Sequence, residues 1–366
     1  MSGALQMRFH FGERDRDGDG PLDAAVMDAC FRHGVRAAAL MRGVEGYGAK
    51  HHLRTDRLLS LSEDTPLVAV AVGEAEVVEA LAEEVQEIAA EGLIVLEPVE
   101  VLRDAADAGA VGTQTTSTPT PNASEVGVPV VRGPEDEGEG SGSRAGDTDA
   151  GARDVVRATI WGPRSGPTAP HLEAVAAFRR HGAEAATVLL GVDGVLDGER
   201  QRARFLAGNR GVPAMTVAVG DRAAVVAAFG EVDGATHLVT VEHTEGAVES
   251  SSRIAGVSHH GGATRVTLVT SEVASRGAHP VYLELIHALR REGAPGATAL
   301  RGVWGYRGEG EPHGDRVLAL RRDVPLWVDV VDDPDRAARW RDLALSLACE
   351  GDIVHVQSIQ RAITLG

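Results

Sequence analysis

The sequence predicts an α+β protein built from three tandem β-α-β-β-α-β units. Three observations predict it: a long-range internal repeat, the same succession of apolar periods in each copy, and strands that are apolar at consecutive positions. RGVEGYG at Arg42–Gly48 returns as RGVWGYR at Arg301–Arg307, and TPLVAVAV from Thr65 returns as VPLWVDVV from Val324, both at an offset of 259. The same offset aligns Glu13 with Glu272, Pro21 with Pro280, Gly34 with Gly293 and Asp64 with Asp323. A fainter middle copy carries LGVDGVL at Leu190–Leu196 and VPAMTVAV from Val212, at offsets of 147–149. Units of about 100 residues are too long for solenoid repeats, which run to about 20–50.

In the first copy, Leu5–Gly12 alternates Leu5, Met7, Phe9 and Phe11 against Gln6, Arg8 and His10, the pattern of a half-buried strand. Pro21 opens a helix to about His33, closed by Gly34. Ala37–Met41 is a short apolar strand that runs into the glycine-rich stretch, and a long polar loop continues to Asp64. Leu67–Val72 is a strand apolar on both faces. Glu74–Ala90 sets Val77, Val78, Leu81, Val85 and Ile88 on one helical face, and Leu93–Leu96 is the last strand after Gly92. This is the ferredoxin-like split βαβ order. In it both helices cover one face of the sheet, and a bare face open to water alternates polar residues. Leu67–Val72, Ala214–Val219 and much of Leu326–Val331 do not alternate. Three bare faces packed together as an intramolecular pseudo-trimer meet that pattern; local cover by loops is the alternative.

The chain divides into copy one at 1–103, an acidic linker at 104–152, a degenerate copy two at 153–246, a second linker at 247–262 and copy three at 263–366. The long linker holds nine acids and two arginines and no Phe, Tyr, Trp or Lys, so it is read as disordered. The whole chain carries a formal charge of −18, which argues against nucleic acid as the main partner. Two distant cysteines, no signal peptide and no apolar run of membrane-spanning length point to the cytoplasm.

The glycine-rich stretches offer backbone N–H groups beside an arginine, a combination that can cradle an anion. The candidate ligand residues are Arg42, Gly43, Gly46, Tyr47 and Gly48, repeated as Arg301, Gly302, Gly305 and Tyr306. The alternative is a turn whose glycines merely let the chain leave the sheet. Copy two has Leu190 at the arginine position. Arg57 and Arg316 each follow an Asp and join the candidates from the long loop, against the plainer reading of surface ion pairs. Glu13 and Glu272 are placed to orient the loop arginines or to stand as solvated charges. DRDGDG at Asp15–Gly20 imitates a calcium loop but has Val26 at the twelfth position, so it is read as a charged turn. His51–His52 and His259–His260 lack zinc-ligand company. No catalytic constellation recurs, and no metal or catalytic residue is expected.

FGERDRDGDGPLDAAV, RGVEGYG and DRLLSLSEDTPLVAVAV resemble the bacterial domain-of-unknown-function family 190, whose fold is similar to the PII-like nitrogen regulators. The resemblance implies a regulator, not an enzyme. It implies a small effector, often an adenine nucleotide, bound in clefts between units, and a long loop, here Gly46–Asp64, that touches a target. It further implies a fluoride-exporting channel or another transporter as that target. A small anionic effector is accordingly expected at the clefts of copies one and three. A constitutive interaction module without effector is the second expectation, and a domain-swapped oligomer is the alternative to internal closure.

Overall fold

Leu22–His33 forms the first helix, α1, led by Pro21 and ended by Gly34 in the left-handed conformation (φ 68°). The computed structural model describes residues 3–18, 20–48, 51–55, 64–104, 154–164, 169–204, 209–232, 238–244, 247–249, 262–314 and 323–366. The linker read at 104–152 therefore lies, from 105 on, outside the described residues, as do Arg57 and Arg316.

The first segment contains β1 (Ala4–Gly12), α1, β2 (Ala37–Arg42), β3 (Glu45–Tyr47), β4 (Pro66–Glu74), α2 (Ala75–Ile88) and β5 (Gly92–Asp104). The second contains β6 (Val155–Pro163), α3 (Ala169–Arg180), β7 (Ala185–Leu190), β8 (Asp193–Leu196), β9 (Pro213–Asp221), α4 (Arg222–Glu231) and β10 (Leu238–His243). The third contains β11 (Ala263–Ser271), α5 (Val281–Arg291), β12 (Ala297–Arg301), β13 (Trp304–Arg307), β14 (Pro325–Asp332), α6 (Pro334–Leu347) and β15 (Ile353–Ile359), followed by β16 (Arg361–Leu365). The result is a mixed α+β chain with six helices among the described residues and a curled antiparallel sheet of thirteen strands beside one of seven. Within the segments the strand orders are β2-β4-β1-β5, β7-β9-β6-β10 and β12-β14-β11-β15.

The apolar runs explain the layering. On β4, Leu67, Ala69 and Ala71 face α1 and α2, while Val68, Val70 and Val72 join a second cluster. That second cluster also takes Met215, Val217 and Val219 from β9, and Val269, Trp327 and Ile353 from the third segment. Sheet faces from all three segments thus share one apolar layer, and strands buried on both faces read as continuous hydrophobic runs.

The glycine-rich stretches are arms that cross between segments. β3 pairs with β12, β8 with β2, and β13 with β7. Each segment gives an arm to one neighbour and receives one from the other. Tyr47, Val195 and Tyr306, at equivalent positions of the arms, are buried in the neighbour's helix-side cluster.

Three details differ from the sequence expectations. The last strand of the first segment does not stop at Leu96; β5 runs to Asp104, and its Glu100–Asp104 end pairs with β10. Glu97 interrupts the apolar pattern in the sequence, yet it is buried against charged partners, so the strand continues through it. Ala247–Glu249, at the head of the stretch read as a linker, pairs with β15. β1 is buried on both faces: Gln6 is 0% and Arg8 1% exposed, because its polar face meets the other segments and not water.

Candidate functional site

The arm junctions are built almost identically. Gly43 N–H donates to Pro66 O (2.7 Å) and Val44 N–H to Ala299 O (2.9 Å). Gly191 and Val192 repeat this with Pro213 O and Leu40 O (2.9 and 2.8 Å), and Gly302 and Val303 with Pro325 O and Val188 O (both 2.9 Å). These amides are committed to neighbouring strands. The central glycine of each arm is needed for close approach. A Cβ on Gly46, Gly194 or Gly305 would lie 2.7, 2.2 or 2.2 Å from the carbonyl oxygen of Ala297, Ala38 or Ala186.

Arg42 pairs with Glu13, which also accepts from Thr65 Oγ1 (2.6 Å), and Arg301 pairs with Glu272 at 2.8 Å. The two equivalent pairs therefore hold the start of each arm to the end of the first strand. The middle segment lacks both partners, with Leu190 and Arg164 in their places. Arg42 is half exposed, and exposed pairs contribute at most about 1 kcal/mol. Arg42→Ala is therefore expected to shift the midpoint of thermal unfolding by only a few degrees, a change readable by calorimetry.

Where β3 docks on β12, a cleft of about 290 Å³ opens between the first and third segments. Tyr47 and Gly48 of the expected ligand set line it, together with His10, Arg54, Thr298 and Asp329. Arg42, Gly43 and Gly46 belong to the same arm but hold it in place, and Arg301, Gly302, Gly305 and Tyr306 serve the junction of the third segment with the second. His10 Nδ1 and Thr298 Oγ1 are 3.2 Å apart across the junction. Burial lowers the pKa of His10 to about 4, against the attraction of Asp329, so its ring is neutral at pH 7. Its Nε2 and the Tyr47 hydroxyl are buried without a hydrogen-bond partner among the described residues. His52 also lines the cleft, and His51 stacks on Tyr47 at 5.4 Å.

The charge of this lining is acidic. Asp15, Glu91, Asp329, Asp332 and Asp333 contribute carboxylates, and the one arginine, Arg54, is tied to Asp15 (3.3 Å) and Asp64 (3.1 Å). An anion drawn by the arginine–glycine stretch, as the sequence alone suggested, meets here a field of the opposite sign. Asp15 itself belongs to a small hairpin, Arg16–Asp17 on Gly20–Pro21, and among the described residues no group of three or more His, Cys, Asp or Glu is placed to hold a metal.

Beside the cleft lies a buried ionic centre. Equivalent cross-strand pairs Gln6–Glu97, Arg157–Glu242 and Arg265–Gln357 come from the three segments. Glu97 receives Arg8 (3.3 Å) and Arg265 (3.0 Å), and Glu242 receives the same two arginines at 3.3 and 2.8 Å. All four side chains are at most 1% exposed. Burial works against the charge of Glu242, but Arg8, Arg265 and Arg157 outweigh it and hold the carboxyl well below its ordinary range. At Glu97 burial prevails and the pKa rises. Asp329, which accepts from Thr267 Oγ1 at 2.5 Å, connects this centre to the cleft. Neither grouping is legible from local sequence, because each draws its members from different segments.

Residues 4–101 and 263–360 each match the family DUF190, described as "Uncharacterized ACR", and together these regions exceed half of the chain. The chain belongs to the DUF190 family. The two matches are the first and third segments, and the middle segment is not matched. The DUF190 chain is also similar to a "UPF0166 protein" of Aquifex aeolicus (strain VF5), with 29% identity over 73 residues, 20% of this chain and 70% of that protein. Among solved structures, aspartate kinase from Synechocystis overlaps 97% of this chain at 7% identity and a TM-score of 0.27. The DUF190 chain spans 43% of that kinase, and a likeness at this level carries no argument. No helix among the described residues is long and apolar enough to cross a membrane.

Proposed function

We propose that this DUF190 chain is a PII-like regulator made of three ferredoxin-like units closed as an internal pseudo-trimer. It binds a small effector in the cleft between its first and third units and passes the bound state to a partner protein. The cleft itself carries this reading. It forms where an arm of one unit enters the next, includes Tyr47 and Gly48, and has in its lining residues two buried polar atoms without a hydrogen-bond partner among the described residues. The strand orders β5-β1-β4-β2, β10-β6-β9-β7 and β15-β11-β14-β12, with one arm exchanged at each junction, support the closed three-unit arrangement. The middle unit then counts as a third, diverged copy. The chain is a regulator without a catalytic role, acting in the cytoplasm. The family resemblance suggests an adenine nucleotide as effector and a fluoride-exporting channel or other transporter as partner.

Thermal unfolding in the presence of adenosine, AMP, ADP and ATP tests the reading, since a ligand that binds only the folded chain raises its stability by mass action. A saturable rise in the unfolding midpoint, lost when His10→Trp fills the cleft, is the expected result. Unchanged midpoints with all four compounds rule out a nucleotide effector. A constitutive interaction module, the second reading, has no observation in the structure that favours it over an effector-bound regulator.

A further inference from the structure

The three arm junctions share a backbone but not their side chains. Register places His10 opposite Val68, Trp161 opposite Met215, and Val269 opposite Trp327, at equivalent points of β1 and β4, β6 and β9, and β11 and β14. Two of these pairs include an indole. Trp161 and Trp327 are 0 and 1% exposed and belong to the shared central cluster. Trp327 Nε1 donates to Thr187 Oγ1 at 2.9 Å, across the junction of the third segment with the second. Thr298, the equivalent of Thr187, meets only the smaller imidazole of His10. The junction without a tryptophan opens into the cleft of about 290 Å³.

Polar groups follow the same division. Asp329 lines the cleft at the position filled by Val70 and Val217 in the other segments. Tyr306 and Tyr47 are equivalent and both at most 4% exposed. Tyr306 donates its hydroxyl to Ala183 O at 2.9 Å, whereas the Tyr47 hydroxyl has no partner among the described residues. A buried hydroxyl left open costs stability unless something else satisfies it.

We infer that the chain keeps a single ligand site, at the β3–β12 junction, and that its ligand is a small organic cation carrying N–H donors. The inference rests on the effector-cleft reading above and narrows it. Trp327 closes the β13–β7 junction against Thr187, and in the middle segment the fully buried Trp161 stands at the register position of His10. Asp15 is paired with Arg54, Asp332 with Arg336 (3.3 Å), and Asp329 faces the buried Arg157 and Arg265, yet the five carboxylates of the lining still outnumber its one arginine, so the low-dielectric cleft favours a cation over an anion. Asp329 and its neighbours accept the N–H groups of the ligand, and the Tyr47 hydroxyl supplies a further acceptor or donor.

Isothermal titration of the full chain with spermidine, L-arginine and ATP tests this, at physiological ionic strength where loose surface attraction is screened. The expected result is saturable binding of spermidine or L-arginine at one site per chain. Tyr47→Phe is expected to weaken that binding about three- to tenfold, the loss of one hydrogen bond. His10→Trp, which copies Trp161 of the middle segment, is expected to abolish it while the folded state persists by circular dichroism. Should His10→Trp fail to fold, Tyr47→Phe alone decides, because it removes one oxygen and no packing. Two or three sites per chain, or cation binding unaffected by both variants, would overturn the inference. ATP binding that Tyr47→Phe weakens, with neither cation bound, overturns the charge assignment and leaves the effector cleft standing. Failure of all three compounds to bind overturns the inference and removes the support for the cleft reading as well.

Discussion

Replacing Arg265 with methionine is expected to lower the stability of the chain by about 3–5 kcal/mol, measured as a shift in urea denaturation. Arg265 is 1% exposed and bridges Glu97 and Glu242, which come from two other segments. Methionine matches much of its length but leaves Arg8 as the one arginine in ion-pair contact with the two buried carboxylates. The magnitude comes from the stranded charges and not from lost packing. Arg265→Met combined with Glu242→Gln is therefore expected to cost less than the sum of the two single changes. The same centre sets an acid limit. Burial opposes the charge of Asp329, but Arg157, Arg265 and Arg8 outweigh it and lower its pKa to about 2. A carboxyl depressed in the folded state contributes its stability above its unfolded value of about 4, and loses it as pH falls through about 2. Glu242 shifts in the same sense, and Glu97, raised by burial, partly offsets them. Urea midpoints measured from pH 5 downward should therefore fall most steeply below about 4. In Arg265→Met the fall should be shallower.

Gly305→Ala is the second change with a large expected effect. The new Cβ would lie 2.2 Å from Ala186 O and 2.9 Å from Thr187 Cα, with Pro325 behind it at 3.0 Å. Two of these atoms are backbone of the receiving strand, so no rotamer relieves the contact. The residue also sits at φ 155°, inside the range that L side chains rarely adopt. A cost at the upper end of the ~1–3 kcal/mol range for overpacking is expected. Its signature is local: β13 should leave β7, withdraw Tyr306 from the second segment's cluster, and make the 302–307 stretch a site of limited proteolysis. Gly293→Ala, which strains the backbone at the end of α5 (φ 83°) away from the arm, serves as the control for a nonspecific loss of stability. Retention of the wild-type cleavage pattern in Gly305→Ala would show that the arm tolerates the side chain.

Much of this architecture was legible in the residues. The 259-residue offset announced equivalent segments, and Leu67–Val72 announced a strand covered on both sides, because an apolar residue at each parity has no other common cause. The helix bounded by Pro21 and Gly34 was fixed by local backbone chemistry, which acts within a few residues. The arms were not legible. Arg-Gly-Val-Glu-Gly-Tyr reads as a flexible anion-binding turn until the carbonyls of another segment are known to pass within 3 Å of where its side chains would be. Nor was the buried polar face of β1. Gln6, Arg8 and His10 alternate as a solvent-facing set does, and only partners far along the chain, Glu97, Glu242 and Thr298, turn them inward. For the same reason the cleft drew Tyr47 and Gly48 from the expected residues and Asp329, Thr298 and His10 from outside them. The first two sit in a recognisable motif, whereas the others acquire a role only by juxtaposition.

β16 has a kinetic meaning. Arg361–Leu365 pairs with Gly92–Leu96, so the final five-residue strand closes an edge of the sheet in the first segment. During synthesis that edge emerges about 260 residues before its cover, at ribosomal rates of roughly 5–20 residues per second. β3 waits in the same way for β12. The nascent chain thus carries open strand edges for many seconds, the surfaces most prone to join another chain. Its partners of highest sequence separation are those that complete it, so folding is expected to be slow and to depend on chaperones that shield β5 until β16 arrives.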